Sequence, residues 1–168
     1  KDIPAPAKSE YLMAVVQRTD PKFIRSFIPQ LDTIITKASE VHPSDSTLLQ
    51  TAGVYFYSTD RKDKAKDYFG RNVATWPESM SASATFVEFL MYAEDWEALS
   101  QEGRKAFEKF PKETAFLEMA SVGDYNLKRY DDVLQICEKV LEVAPNDSSS
   151  TLRAWSTMGD VYFILGEK

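Results

Sequence analysis

Apolar residues recur along most of this chain at spacings of three and four. In TLLQTAGVYFYS, Leu49, Ala52, Gly53 and Phe56 stand at i, i+3, i+4 and i+7, which is one face of a helix. The polar run TDRKD interrupts the pattern. KAKDYFGRNVATW then resumes it, with Ala65, Tyr68, Phe69 and Val73 facing inward. The same order of events returns in ATFVEFLMYA, EDWE and ALSQEGRKAFEKF, and again in AFLEMASVGDYNL, KRYD and DVLQICEKVLEV. No segment alternates apolar and polar residues over the length of a strand. The pattern predicts an all-α chain of helices joined by short turns.

Proline marks the period. Pro43, Pro77, Pro111 and Pro145 each stand 34 residues after the one before. Each closes a helix-like segment (ITKASEVHP, YFGRNVATWP, GRKAFEKFP, CEKVLEVAP), as expected of a residue that cannot continue a helix and disfavours helix in the residue before it. Each is followed by a polar cluster, SDSTLL, ESMSAS, KETAFL or NDSSST, rich in the residues that cap a helix start.

A 34-residue helix–turn–helix period resembles the tetratricopeptide repeat, and the resemblance spans roughly residues 46 to 168. The family motif, Trp-x2-Leu-Gly-x2-Tyr followed by Ala, an aromatic residue and a closing Pro, is matched by Trp155, Met158, Gly159 and Tyr162. Leu49, Ala52, Gly53, Phe56, Ala65, Phe69 and Pro77 match it again. The next unit departs: Val87 replaces the small residue and Gly103 an aromatic, while Trp96, Leu99, Ala106 and Pro111 fit. The following one has Ser121 at the small position, with Tyr130, Val133, Cys137, Val140 and Pro145. The resemblance implies a right-handed α-solenoid of antiparallel helix pairs, about four and a half units in one domain over 12–168. Its units are 12–45 (degenerate), 46–79, 80–113, 114–147 and a half-unit 152–168. Small residues let helices approach closely, so Gly53 and Gly159 are both expected to have a packing reason.

The two ends are irregular. KDIPAPAK, within 1–11, reads as an extended lead-in. Asp20-Pro21 and Pro29 break the front of the first unit, which predicts a short helix followed by a longer, kinked one. The step from Ser121 to Gly159 is 38 residues rather than 34, and the four extra residues are expected in a loop at SSST, 148–151. AWSTMGDVYFILGEK reads as the first helix of a further unit. Trp155, Met158 and Tyr162 are expected to bury against DVLQICEKVLEV, leaving Val161 and Ile164 or Leu165 bare. That bare face is expected to pair with another copy of the chain or to fray.

Charge narrows the partners. A net charge of −6 and a pI of about 4.9 oppose binding to nucleic acid or to an anionic membrane surface. No apolar run reaches the roughly 18 residues of a membrane span. Neither end of the sequence assigns a compartment, and a soluble protein of cytoplasm or periplasm fits equally.

Chemistry is sparse. The glycines are too dispersed for a phosphate-cradling loop. His42 beside Pro43 reads as a solvated loop residue, with no second His or Cys nearby to share a metal. Cys137 falls on an inward helix face with no base to activate it, and reads as core. No cofactor, metal or catalytic residue is expected, and the protein reads as non-enzymatic.

The resemblance implies instead a partner surface on the concave face, lined by the first helix of each unit. Carried over position by position, it supplies Gln50, Val54 and Tyr57 from one unit, Glu88, Met91 and Tyr92 from the next, Glu118, Tyr125 and Asn126 from the third, and Asp160 and Phe163 from the last. Arg153 and Ser156 are further lining positions of that last unit. The Lys and paired Asn with which chaperone-binding members grip a C-terminal carboxylate are absent; Gln50, Val54 and Ser58 stand there. Aromatic groups beside Glu88, Glu118 and Asp160 suit a protein or peptide with apolar and basic groups. The alternatives are a helical accessory domain of a larger enzyme or envelope or transport assembly, and a small-molecule or glycan site on an aromatic stripe of Tyr57, Tyr92, Tyr125 and Phe163.

Overall fold

The computed structural model describes residues 5–18 and 20–166. Every regular element among them is a helix: α1 (Ala5–Arg18), α2 (Pro21–Ser26), α3 (Ile28–Val41), α4 (Ser46–Ser58), α5 (Lys62–Thr75), α6 (Met80–Ala93), α7 (Trp96–Lys109), α8 (Ala115–Asn126), α9 (Tyr130–Val143) and α10 (Ser148–Leu165). They form two compact units, Lys1–Ala82 and Ser83–Lys168.

Two kinds of turn keep the period. At the first kind, the residue before each timing proline leaves the helical region: His42, Trp76, Phe110 and Ala144 have φ near −125° and ψ between 54° and 67°. Each still donates its N–H to the carbonyl four residues back, at 2.8–2.9 Å. Its own carbonyl then accepts from the residue three ahead (Asp45, Ser79, Glu113 or Asp147), so the proline sits second in a four-residue turn, where its fixed φ fits. Asp45 and Asp147 go on to cap α4 and α10 through their carboxylates.

At the second kind, within a helix pair, Asp60, Glu94 and Lys128 all take φ 59°. They are 34 residues apart, and Gly166, with φ 75°, follows Lys128 by the longer step of 38. After each of the first three, the next N–H reaches five residues back, as in Arg61 to the Phe56 carbonyl at 2.9 Å. This is the left-handed closure that satisfies the last carbonyls of a helix. None of the three is glycine, so the sequence carries no mark of it.

In unit 1, α1, α3 and α5 pack around α4. Leu48, Leu49, Ala52, Tyr55 and Phe56 of α4 are all at most 1% exposed. The Phe69 ring of α5 covers Gly53 so closely that a Cβ there would lie 2.7 Å from it. Beside it, Phe56 stacks on Tyr68 with centroids 5.2 Å apart. The Asp32 carboxylate of α3 accepts from the Tyr55 hydroxyl at 2.7 Å and from Arg61 at 2.6 Å, which ties α3 to α4 and to the turn after it. Arg61 also lies 4.6 Å from the Phe56 ring centroid. Burial, and donation to Asp32, push the Tyr55 hydroxyl up to about 12. Burial opposes ionisation of Asp32, but the Arg61 and Tyr55 hydrogen bonds outweigh it and hold the carboxyl below its ordinary value.

In unit 2, α7 and α8 approach backbone to backbone. A Cβ on Gly103 would lie 2.8 Å from the Phe116 carbonyl, and one on Gly123 would lie 2.7 Å from the Trp96 carbonyl. Gly103, out of place in the motif, is therefore explained by close approach. Asp124, 1% exposed, accepts from Ser100 Oγ at 2.7 Å and Arg104 at 2.6 Å across the same contact. On the other side of α8, α9 joins α8 and α10 through one core, in which Leu117, Ala120, Val133, Cys137, Val140, Met158 and Val161 meet.

Several expectations are corrected. Helix begins at Ala5, so residues 5–11 are not an extended lead-in, and residues 1–4 lie outside those described. A proline in the first turn costs no hydrogen bond, which is why Pro6 is compatible with that start. For the same reason Pro29 does not kink α3: it stands in the first turn of that helix. SSST is not a loop, because Asp147 caps α10 directly before it and the four residues lengthen the helix to 18. His42 is half-buried rather than solvated, and its Nε2 has no hydrogen-bond partner among the described residues. In α10 the buried residues are Ser150, Ala154, Met158 and Val161, the last three in the core shared with α9. Val161 is thus 0% exposed, while Trp155 (57%) and Tyr162 (37%) stay open. Apart from its chain neighbours and the adjoining backbone of its own helix, no atom of the described residues lies within 4 Å of a Cβ built on Gly159, so it has no packing reason there. The last two residues of GEK lie outside those described.

Candidate functional site

α8 and α10 both lie on α9, and a cleft of about 500 Å³ opens between them. Its shape follows from side-chain size. Ser121 of α8 and Ala154 of α10 are small and buried, so the cleft reaches down to Ile136, Cys137 and Val140 of α9. Met91 of α6 and Met119, Val122 and Tyr125 of α8 supply apolar walls. Asn126, Arg153, Ser156, Thr157 and Asp160 supply polar lining.

The two helices are tied at their N-terminal ends. The Thr114 and Ser150 hydroxyls are 3.1 Å apart and buried. One turn on, Arg153 donates to both oxygens of Glu118, at 2.7 Å from Nε and 3.0 Å from Nη2. Such two-point pairs fix orientation as well as distance. The Glu118 carboxylate holds the Arg153 guanidinium above its ordinary value. Arg153 also donates to the hydroxyls of Ser149 and Ser150. Asp160 is exposed and makes no hydrogen bond or ion pair among the described residues.

Cys137 on the cleft floor is 3% exposed. Burial pushes its thiol up to about 11, against a smaller opposing effect from a hydrogen bond with Ser121. It is therefore an un-ionised thiol at neutral pH, with the character of a small apolar residue. Among the described residues, no group of three or more His, Cys, Asp or Glu side chains could hold a metal ion. No helix of the structure is long and apolar enough to cross a membrane.

Of the residues singled out from the sequence, Met91, Glu118, Tyr125, Asn126 and Asp160 line this one cleft, with Arg153 and Ser156. Tyr125 is only half open, since its ring also meets Tyr130 edge-on at 6.0 Å. Glu88, Tyr92 (59% exposed) and Phe163 (84% exposed) are on the surface of unit 2 but outside the cleft. Gln50 and Val54 are half-buried on α4, with Tyr57 more open beside them in unit 1. Sequence reasoning missed the floor, because it looked only at first helices and Ile136, Cys137 and Val140 belong to a second one. The signal was present in the small residues Ser121 and Ala154, which leave α9 uncovered.

No protein-family model and no curated protein sequence matches the chain. Solved structures do. A crystal structure of MamA superposes with a TM-score of 0.64 at 13% identity, covering 96% of this chain and 84% of that one. MamA of MSR-1 gives 0.64 at 13%, covering 98% and 88%. The pilF protein of Pseudomonas aeruginosa gives 0.59 at 18%, covering 95% and 68%. MamA and pilF are both tetratricopeptide-repeat proteins. At such low identity the likeness speaks for the fold alone.

Proposed function

We propose, for a chain that has the fold of the tetratricopeptide-repeat proteins, a non-enzymatic role as an interaction scaffold that holds a segment of a partner protein in the α8–α10 cleft. The observation that carries this reading is the cleft itself. It has an apolar floor and walls, a polar lining and one end tied across by the Glu118–Arg153 pair. Apolar depth with a few placed polar groups is the general form of a binding site. The buried, un-ionised Cys137 offers no nucleophile to set against it.

The test uses Val122→Arg, which places a charge on an exposed cleft wall, and Lys105→Glu on the outer face of α7 as a control. Proteins captured by the parent chain and by the control, but lost with Val122→Arg at an unchanged melting curve, support the cleft. Capture that survives Val122→Arg moves the partner to another surface.

A further inference from the structure

The chemistry of the cleft is specific enough to say what enters it. We infer that the α8–α10 cleft is an anchor pocket for one bulky apolar side chain (Leu, Met or Phe) that stands next to a Lys or Arg in the partner segment. This rests on the scaffold reading and adds the identity of the bound group.

The first argument is depth. A partner that only lay across α8 and α10 would meet their outward residues. Here the small side chains of Ser121 and Ala154 admit a group through that layer to Ile136, Cys137 and Val140 on the second helix. An apolar group reaching that floor lies among apolar side chains, largely removed from water, which is the setting in which single anchors dominate binding. The walls include Met91 and Met119, flexible side chains that can close around more than one apolar shape.

The second argument is charge. Three charged groups line the cleft, and two of them, Glu118 and Arg153, satisfy each other. The Arg153 guanidinium is further occupied by Ser149 and Ser150. Asp160 alone is left without an ion pair among the described residues, so the net charge open to a partner is negative. Asn126 donates its amide N–H to the Val122 carbonyl, which leaves its oxygen free to accept. An acidic partner segment meets Asp160 unfavourably, whereas a basic one finds two acceptors.

The experiment is selection of a phage-displayed library of random dodecapeptides against the full chain, followed by affinity measurement on synthetic peptides. Selected peptides are expected to share an apolar–basic doublet, and Ala in place of its apolar member should weaken binding about tenfold or more. Ser156→Phe, which fills the cleft from its exposed side, should abolish binding. Selection on Asp160→Lys should exchange the basic residue for Asp or Glu. Bound peptide should shift the methyl resonances of Met91 and Met119 in methionine-methyl-labelled protein, a readout that needs no variant to fold. Peptides without the doublet, or peptides whose binding is indifferent to Ser156→Phe and leaves the Met91 and Met119 methyl resonances unmoved, overturn the anchor while leaving the scaffold in place. A library that yields no binder at all overturns both.

Discussion

Gly53 in α4 and Gly159 in α10 hold the same place in their helices. Each stands seven residues before the left-handed residue that closes the turn, Asp60 in one case and Gly166 in the other. Their surroundings differ completely. α4 is buried on several sides, through Leu48, Leu49, Thr51, Ala52, Tyr55 and Phe56, and the Phe69 ring presses on Gly53. α10 is buried along one line only, Ser150, Ala154, Met158 and Val161, and space lies open beside Gly159. The side of α10 that carries Gly159 also presents Leu152, Trp155, Tyr162 and Phe163, between 37% and 84% exposed and all uncharged. A glycine in a repeat therefore marks where a neighbour can come close; the packing partner decides whether one does.

The sharpest test exchanges side chains at the two glycines. Gly53→Leu should cost about 1–3 kcal/mol, because the Phe69 ring has nowhere to retreat within a packed core. Gly159→Ala should be neutral or stabilising by up to about 1 kcal/mol, the ordinary gain of removing glycine from an exposed helix. Urea denaturation of both variants measures the difference. Equal losses at the two sites would mean that Gly159 has a close neighbour after all.

A smaller effect is expected at the turns that end these helices. Asp60→Gly, Glu94→Gly and Lys128→Gly should each stabilise the chain by about 1 kcal/mol, because glycine alone takes a left-handed φ without steric cost. Gly166→Ala should move the midpoint the other way. Any of the three glycine variants that lowers the melting temperature would show that the side chain there contributes more than its backbone strain costs.

The smallest effect sets the carboxylate anchored on α4 against the one that caps α10. Asp32 and Asp147 both titrate below their ordinary 3.8 in the folded chain. For Asp147 the cause is the Ser150 hydroxyl, then the backbone N–H groups of Ser149 and Ser150. A depressed folded value contributes stability that is full above the unfolded value and is lost as pH falls through the folded one. Urea midpoints followed from pH 7 down to about 3 should therefore decline more gently in Asp32→Asn and in Asp147→Asn than in the parent. The change should be larger for Asp32, which is more enclosed. A parent and an Asp32→Asn variant with parallel acid limbs would remove Asp32 from this account.

What was legible from sequence depended on whether the local chemistry is unique to a residue type. Pro43, Pro77, Pro111 and Pro145 announced four turns, because proline fixes its own φ and pushes the residue before it out of the helical region. The partner turns at Asp60, Glu94 and Lys128 were silent, since ordinary residues are held left-handed there by the helices on either side. Pro29 misled, because a proline signals a break and the helix simply starts beneath it. Gly103 and Gly123 could be placed only once α7 and α8 were seen to touch through backbone. The cleft followed the same division. Its rim residues Glu118, Asn126 and Asp160 lie on first helices and follow the period, whereas Ile136 and Val140 enter by depth, which no spacing along one helix encodes.

The exposed indole of Trp155 makes the protein its own optical probe. The chain has three tryptophans, and Trp155, at 57% exposure, is the most open of them. Trp76 is already engaged, its Nε1 donating to the Ser44 carbonyl at 2.9 Å. An indole in water emits at longer wavelength than one in an apolar contact. Whatever comes to lie along Leu152, Gly159 and Phe163 will shift the Trp155 emission to the blue, whereas a ligand confined to the α8–α10 cleft will leave it unmoved.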